Sequence, residues 1–193
     1  MPQVILRPNA SGDKTEWPHQ YPDSSSHWDK VDEETPDDDS TYIYVKSTDI
    51  GSFIDLYNIP DLSSIIEPGA TINFVRVYIR CRGTAYNVAR AAPMVKTYGT
   101  EYAPADMTFG TSYETKYHQW DNNPYTGNPW TIDEIYALQI GVRGHRGSYY
   151  DPILGIIRYD DTRCTQVYLL VDYTVPPVVV KRLIGDGLVC IVV

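Results

Sequence analysis

The stretch that most constrains the fold of this chain is TINFVRVYIRCR, residues 71–82, in which apolar and polar side chains alternate. A period of two places successive side chains on opposite faces of a β-strand. The pattern therefore predicts a long strand with one buried face. The apolar set is Val75, Val77, Ile79 and Cys81, and the polar set is Arg76, Tyr78, Arg80 and Arg82.

A second alternating run, TRCTQVYLLVDY, covers residues 162–173 near the end of the chain. Both runs are long and rich in β-branched and aromatic residues, which favour strands. Two such runs predict the central strands of an all-β protein, an antiparallel β-sandwich of jelly-roll type. The apolar face of the second run is formed by Val167, Leu169 and Val171, and the polar face by Gln166, Tyr168 and Asp172.

One segment, residues 130–138, has the pattern of a helix. Thr131 followed by Glu134 is a capping box, in which the threonine oxygen accepts a backbone N–H and the glutamate reaches back to the cap residue. Asp133 adds negative charge at the positive end of the helix dipole. We therefore expect one short helix in an otherwise β protein.

The chain has 193 residues, of which 42% are hydrophobic, and this is enough for a single sandwich domain. We assign residues 1–176 to the sandwich and residues 177–193 to an apolar C-terminal arm or final hairpin. Within the sandwich, residues 8–40 are predicted to form a long polar loop, because prolines, serines and acidic residues dominate them.

Two further local predictions concern the middle of the chain. Residues 41–46 and 51–58 are predicted to form a hairpin that turns at Ser47, Thr48 and Asp49. Residues 144–151, rich in glycine and tyrosine, are predicted to be a loop.

The C-terminal segment VVVKRLIGDGLVCIVV is strongly apolar and would be an aggregation hazard if it were exposed. It must be covered, either as a hairpin turning at Gly185, Asp186 and Gly187 or as a strand added to a neighbouring subunit. The preceding Pro176 and Pro177 direct it away from the last long strand, which favours the contact between subunits. The candidate assembly residues are Val178, Val180, Leu183, Leu188 and Ile191.

The net charge is −9 and the isoelectric point is near 4.8. An acidic surface does not neutralise phosphate, so nucleic acid and anionic membranes are excluded as partners. The N-terminus lacks the pattern of a secretion signal, so we expect synthesis in the cytoplasm. The 17 tyrosines favour strands and half-buried surfaces.

The motifs of common enzymes are missing from the sequence: there is no GxSxG, no HExxH and no P-loop. We therefore expect a non-catalytic protein without a cofactor. The four histidines have no metal-binding spacing, and Asp37, Asp38 and Asp39 lack the spacing of a calcium loop, so no metal site is predicted. The three cysteines are expected to be buried thiols. A disulfide bond between Cys81 and Cys164 is the alternative, because both lie in predicted strands.

Aromatic side chains in loops form sugar-binding platforms in β-sandwich lectins. Trp17, Trp28 and Trp120 lie in or beside predicted loops and are the candidate ligand-binding residues for such a role. The alternative, which we favour, is that they fill the rim of the core.

Three segments together resemble structural proteins of tailed phages and related viruses, which build jelly-roll sandwiches. They are ILRPNASGDKTEW with HWDKVDEETPDDDSTYIYV, then INFVRVYIRCRG with VKTYGTEY, and finally WTIDEIYALQIGVRG with RCTQVYLLVDYTVPP. The resemblance covers about residues 4–176 and lies in spacing and order. It implies a virion component, a head decoration, neck or tail protein, and no functional residue carries over from it.

The first hypothesis is a viral structural protein, located in the virion, whose partners are other copies of itself and other virion proteins. The second is a carbohydrate-binding module or receptor-binding tail tip, with glycans as partners. The third is a subunit of an extracellular filament.

Overall fold

A computed structural model describes residues 2–61 and 65–176, and it defines the backbone of residues 179–184 and 187–192. The chain forms two six-stranded antiparallel sheets, so the predicted all-β sandwich is confirmed. Within these residues, no helix is long and apolar enough to cross a membrane. The strands are β1 (Gln3–Leu6), β2 (Ala10–Thr15), β3 (His19–Tyr21), β4 (Tyr42–Val45), β5 (Phe53–Asn58), β6 (Thr71–Gly83), β7 (Ala89–Thr97), β8 (Thr100–Tyr102), β9 (Met107–Phe109), β10 (Glu114–Trp120), β11 (Gln139–His145), β12 (Gly147–Asp151), β13 (Ile156–Asp160), β14 (Thr162–Thr174), β15 (Val179–Ile184) and β16 (Gly187–Val192).

The first sheet has the strand order β10-β6-β14-β4-β3, with β1 also paired to β14. The second sheet has the order β2-β5-β11-β7-β8, with β9 also paired to β7. Two further two-stranded sheets, β12-β13 and β15-β16, lie outside both.

Strands β6 and β14 are the centre of the first sheet, and they are the two runs on which the fold prediction depends. They pair antiparallel over most of their length, with Val77 opposite Leu169. Both of these side chains are fully buried, as are their neighbours on the same face. The apolar faces predicted from the period of two are therefore confirmed.

The same register places Cys81 directly opposite Cys164. Both are buried free thiols, so the expectation of buried cysteines is confirmed for this pair and the disulfide bond is not formed in this structure. Burial, with the neighbouring Cys164 thiol, raises the pKa of Cys81 well above its ordinary value, which keeps this sulfur protonated and unreactive.

The inner faces of the two sheets share one hydrophobic core, which includes Ile43, Ile79 and Leu169 from the first sheet and Tyr57, Val95 and Ile140 from the second. The close approach of neighbouring strands within the second sheet explains Gly141 on β11, because a Cβ atom there would lie 2.0 Å from the carbonyl oxygen of Asp55 on the paired strand β5.

The outer face of the first sheet is covered by residues 31–41, which we call the acidic strap. Asp38 accepts two hydrogen bonds from Arg80, of 2.6 and 2.8 Å. Glu33 O accepts a hydrogen bond of 2.6 Å from Gln166 Nε2. Gln166 is therefore buried rather than solvent-facing, which corrects the polar face predicted for β14.

The hairpin predicted over residues 41–58 is wrong. The two strands exist, as β4 and β5, but β4 pairs with β14 in the first sheet and β5 pairs with β11 in the second. Each strand carries buried side chains toward the shared core. The turn between them therefore crosses from one sheet to the other instead of joining neighbours.

The long polar loop predicted at residues 8–40 is partly wrong, since it contains the edge strands β2 and β3 and a 3₁₀ turn, His27–Lys30. Edge strands often carry polar and charged side chains, which disfavour pairing with another chain, and their composition then resembles that of a loop. The predicted helix is confirmed as α1 (Ile132–Tyr136), with both hydrogen bonds of the Thr131–Glu134 capping box present.

Candidate functional site

The most unusual surface of the molecule is the β12–β13 hairpin, residues 147–160, which we call the apolar hairpin. It pairs with itself from Gly147 opposite Asp160 to Asp151 opposite Ile156 and joins neither large sheet. Large apolar side chains on both of its faces are exposed, up to 91% at Ile153. The exposed set is Tyr149, Tyr150, Ile153, Leu154, Ile156, Ile157 and Tyr159.

A monomeric protein rarely exposes a contiguous apolar surface of this kind without using it for binding. An isolated two-stranded hairpin is also marginally stable in water by itself. These two facts make the apolar hairpin the candidate binding surface of the described structure. The prediction that residues 144–151 form a loop is wrong, because the tyrosines here pair across β12 and β13.

The base of the apolar hairpin is held by Asp160, which is buried at the end of β13. Its carboxylate accepts hydrogen bonds of 2.9 Å from the backbone N–H groups of Thr84, Ala85 and Tyr86 and from the Thr84 hydroxyl. Burial alone raises the pKa of Asp160, but these donors outweigh it, so the pKa lies below its ordinary value. The ionised carboxylate thus ties the hairpin to the β6–β7 loop.

Aromatic and cationic groups flank the same base. The Arg146 guanidinium lies over the Tyr159 ring, 3.8 Å from its centre. Tyr86 packs against Tyr149 with 5.9 Å between ring centres. These contacts orient the start of the hairpin and leave its apolar tip toward solvent.

We predict that Asp160→Asn lowers the free energy of unfolding by about 1–3 kcal/mol at neutral pH, because buried donors lose a charged acceptor. A lowered pKa in the folded state contributes stability above the unfolded pKa, and this contribution is lost as pH falls through the folded value. The difference between the two proteins should therefore shrink below about pH 4. Urea unfolding at several pH values measures it, with Asp23→Asn as the exposed control. A difference that stays constant with pH contradicts this role of Asp160.

The terminal strands β15 and β16 form a second isolated hairpin. Their backbones pair with each other, from Val179 opposite Val192 to Ile184 opposite Gly187, and with no other strand among the described residues. Of the five candidate assembly residues, Val180, Leu183, Leu188 and Ile191 lie on these strands, and Val178 lies outside the described residues, as does the predicted turn at 185–186. Their role in assembly stays a prediction.

The candidate ligand-binding tryptophans do not form a platform. Trp17 is 2% exposed, its ring packs over Gly144, and its indole N–H donates to Val142 O at 3.1 Å. Trp120 is 8% exposed and its carbonyl accepts from the Trp130 indole at 3.0 Å. Trp28 is half-buried against the core. This corrects the sugar-platform alternative for Trp17 and Trp120, whose apolar ring faces are used by the core.

An open groove of about 340 Å³ lies at one end of the sandwich and was not predicted from the sequence. It is lined by Thr97, Tyr98, Thr131, Asp133, Glu134 and Ala137. Tyr98 is 60% exposed and stacks on Tyr125, which is 54% exposed, with 4.8 Å between ring centres. We call this feature the tyrosine groove.

A smaller polar cavity of about 180 Å³ contains His19 and His27. The buried Asp55 carboxylate lies 2.6 Å from His27 Nδ1 and accepts from the backbone N–H groups of Glu16 and Trp17 at 2.7 and 2.9 Å. The described residues lining the cavity include no serine, threonine, cysteine or lysine that would serve as a nucleophile. The pair anchors the segment before β4 on strand β5.

The three acidic residues considered as calcium ligands are engaged elsewhere. Asp37 accepts from the Thr41 hydroxyl at 2.9 Å, Asp38 binds Arg80, and Asp39 lies 2.8 Å from Arg82. Across the described part of the chain, no three histidine, cysteine or acidic side chains come together as a metal site.

No protein-family model and no curated protein matches this sequence. Among solved structures, the chain is similar to the family 30 carbohydrate-binding module of a cellulosomal cellulase from Clostridium thermocellum. The identity is 13%, the TM-score is 0.40, and the match covers 88% of this chain and 97% of that one. The two backbones superpose only loosely, and the carbohydrate binding named for that module is not transferred to this chain.

Proposed function

We propose that this chain is a non-catalytic structural protein that assembles through protein–protein contacts. The observation that carries the proposal is the apolar hairpin, which holds Ile153, Leu154 and Ile157 in solvent on a rigid base. Burying such side chains in an interface contributes about 1.5–3 kcal/mol each. A surface of this composition is therefore a binding surface.

The partner is a protein. A net charge of −9 disfavours anionic membranes, although an apolar tip by itself would also suit a lipid surface. Each copy of the chain carries two hairpins that pair with nothing else in the described structure, the apolar hairpin and β15–β16. Both offer open strand edges to which a neighbouring chain can add. Other copies of this chain are accordingly the first partners in the proposal.

The location in a virus particle, as a head decoration, neck or tail component, rests on the resemblance of the three sequence segments to tailed-phage structural proteins. Other virion proteins are then further partners. An extracellular filament subunit would use the same contacts but would occur in external fibres. A carbohydrate-binding module or receptor-binding tail tip would need an exposed aromatic surface, for which the tyrosine groove is the candidate.

Quantitative mass spectrometry of purified particles, with antibody labelling in electron microscopy, tests this location. We expect a fixed copy number per particle and label at regular positions. Label on external fibres would favour the filament, and absence from every particle and fibre contradicts a structural role.

A further inference from the structure

The tip of the tyrosine groove is a turn whose sequence does not suit its backbone. Tyr98 and Gly99 form the two-residue connection between β7 and β8, where Thr97 pairs with Thr100. Their φ angles are 49° and 75°, both positive, which is the pattern of a type I′ turn. The first position of such a turn favours asparagine, aspartate or glycine, and a bulky residue with positive φ is uncommon. The turn itself therefore gives no reason for a tyrosine.

The Tyr98 ring is nevertheless held in one place. Its hydroxyl donates to Glu134 Oε1 at 3.2 Å, and one face of the ring stacks on Tyr125 with an interplanar angle of 19°. Tyr125 is itself fixed by Asn123, whose side chain accepts the Tyr125 N–H at 2.9 Å and donates to Thr97 Oγ1 at 3.1 Å. An exposed ring that is fixed at its hydroxyl and on one face, with the other face open, is a preorganised surface.

The opposite wall of the groove supplies hydrogen-bonding groups. Asp133 and Thr131 line it at the beginning of α1; the Thr131 hydroxyl already accepts from the Glu134 N–H at 3.2 Å and keeps its O–H as a donor. Glu134 is different, because its two oxygens already accept from Tyr98 and from the Thr131 N–H. The groove volume of about 340 Å³ is that of a small-ligand site, since such sites begin at about 300 Å³.

We infer that the tyrosine groove binds a neutral carbohydrate. The apolar C–H face of a sugar ring would lie on the free face of Tyr98, and its hydroxyl groups would reach Asp133 and Thr131. A pyranose is apolar on its faces and polar around its rim, which matches one flat aromatic wall and one polar wall. The site is separate from the apolar hairpin and does not depend on assembly.

An organic cation is the competing ligand, since tyrosine and carboxylate also attract positive charge. The geometry favours the sugar. Aromatic cages for cations arrange several ring faces around one space, whereas Tyr98 and Tyr125 stack on each other. The carboxylate nearest to Tyr98, that of Glu134, is already hydrogen-bonded.

The test uses the full chain and calorimetric titration with hexasaccharides of glucose, xylose, mannose and N-acetylglucosamine, and with tetralysine. We expect at least one neutral oligosaccharide to bind. Tyr98→Asn should weaken that binding at least about tenfold, as expected for the loss of one aromatic contact. The same substitution should leave the melting temperature unchanged or higher, because asparagine suits the turn.

Tyr117→Asn is the matched control, because Tyr117 is an exposed tyrosine that packs on another tyrosine, Tyr78, outside both the groove and the apolar hairpin; it should bind like the unmodified protein. Asp133→Ala is the second groove variant and should also weaken binding. The inference is overturned if no neutral oligosaccharide binds, if only tetralysine binds, or if Tyr98→Asn and Asp133→Ala leave sugar binding unchanged. A fall in melting temperature with Tyr98→Asn would show that the Tyr98 ring stabilises the fold through its contacts with Tyr125 and Glu134, and it would also count against the site.

Discussion

Leu169→Asp is expected to abolish folding. Leu169 is fully buried on β14, opposite the equally buried Val77 on β6, at the centre of the shared core. A carboxylate there has no positive partner, and burying an unpaired charge costs several kcal/mol. The total stability of a domain of this size is about 5–15 kcal/mol, so one substitution removes much or all of it. Val77→Asp should have the same effect.

Two controls separate this effect from general sensitivity of the strands. Leu169→Met keeps the volume and should cost less than about 1.5 kcal/mol. Arg80→Ala, on the outer face of β6, removes a half-exposed pair with Asp38 and should cost about 1 kcal/mol or less. Circular dichroism and urea unfolding measure all four variants. Equal loss of folding in Arg80→Ala and Leu169→Asp would mean that the faces of β6 and β14 are assigned incorrectly.

The triple substitution Ile153→Ser, Leu154→Ser and Ile157→Ser should dissociate the proposed assembly without unfolding the monomer. These side chains are 56–91% exposed on the apolar hairpin, and none of them belongs to the core or packs against it. In an interface, three such side chains contribute at least about 4 kcal/mol together, which corresponds to about a thousandfold in the dissociation constant. The free energy of unfolding of the monomer should change by less than about 0.5 kcal/mol.

Ile50→Ser is the matched control for the triple variant. Ile50 is 81% exposed, but it stands alone in the β4–β5 connection. Single apolar residues of this kind are normal on a protein surface and do not indicate a binding site. Its replacement should leave both assembly and stability unchanged. If Ile50→Ser dissociates the assembly as strongly as the triple variant, general surface hydrophobicity and not the apolar hairpin holds the copies together.

The central strands could be predicted from the sequence because both signals were local. In β6 every second side chain from Val75 to Cys81 is buried, and a period of two needs no knowledge of the partner strand. The capping box of α1 is equally local, since Thr131 and Glu134 are close neighbours in the chain.

The connections between strands could not be predicted in this way. Residues 41–58 have the pattern of a hairpin, but which sheet each strand joins is decided by contacts with β14 and β11, which come much later in the chain. The buried Gln166 has the same origin, because Glu33 of the acidic strap that covers it lies 133 residues earlier.

The two candidate sites were missed for different reasons. The sequence of the apolar hairpin does not alternate between apolar and polar residues, because neither of its faces is buried in the core. Its glycines and tyrosines are typical of a loop. The tyrosine groove joins Tyr98, Tyr125 and α1 from three separate segments. One local signal was available there: a tyrosine directly before a glycine, between alternating strands, occupies a turn position that favours asparagine.

Sedimentation velocity of the unmodified chain, the triple hairpin variant and a deletion of residues 178–193 tests the proposed assembly most directly. We expect the unmodified chain to form oligomers at micromolar concentration and the triple variant to sediment as a folded monomer. The deletion should stay folded, because β15 and β16 pair with no strand of the described sandwich, and should assemble more weakly. An unmodified chain that is monomeric at every concentration, or a triple variant that assembles like it, contradicts assembly through the apolar hairpin.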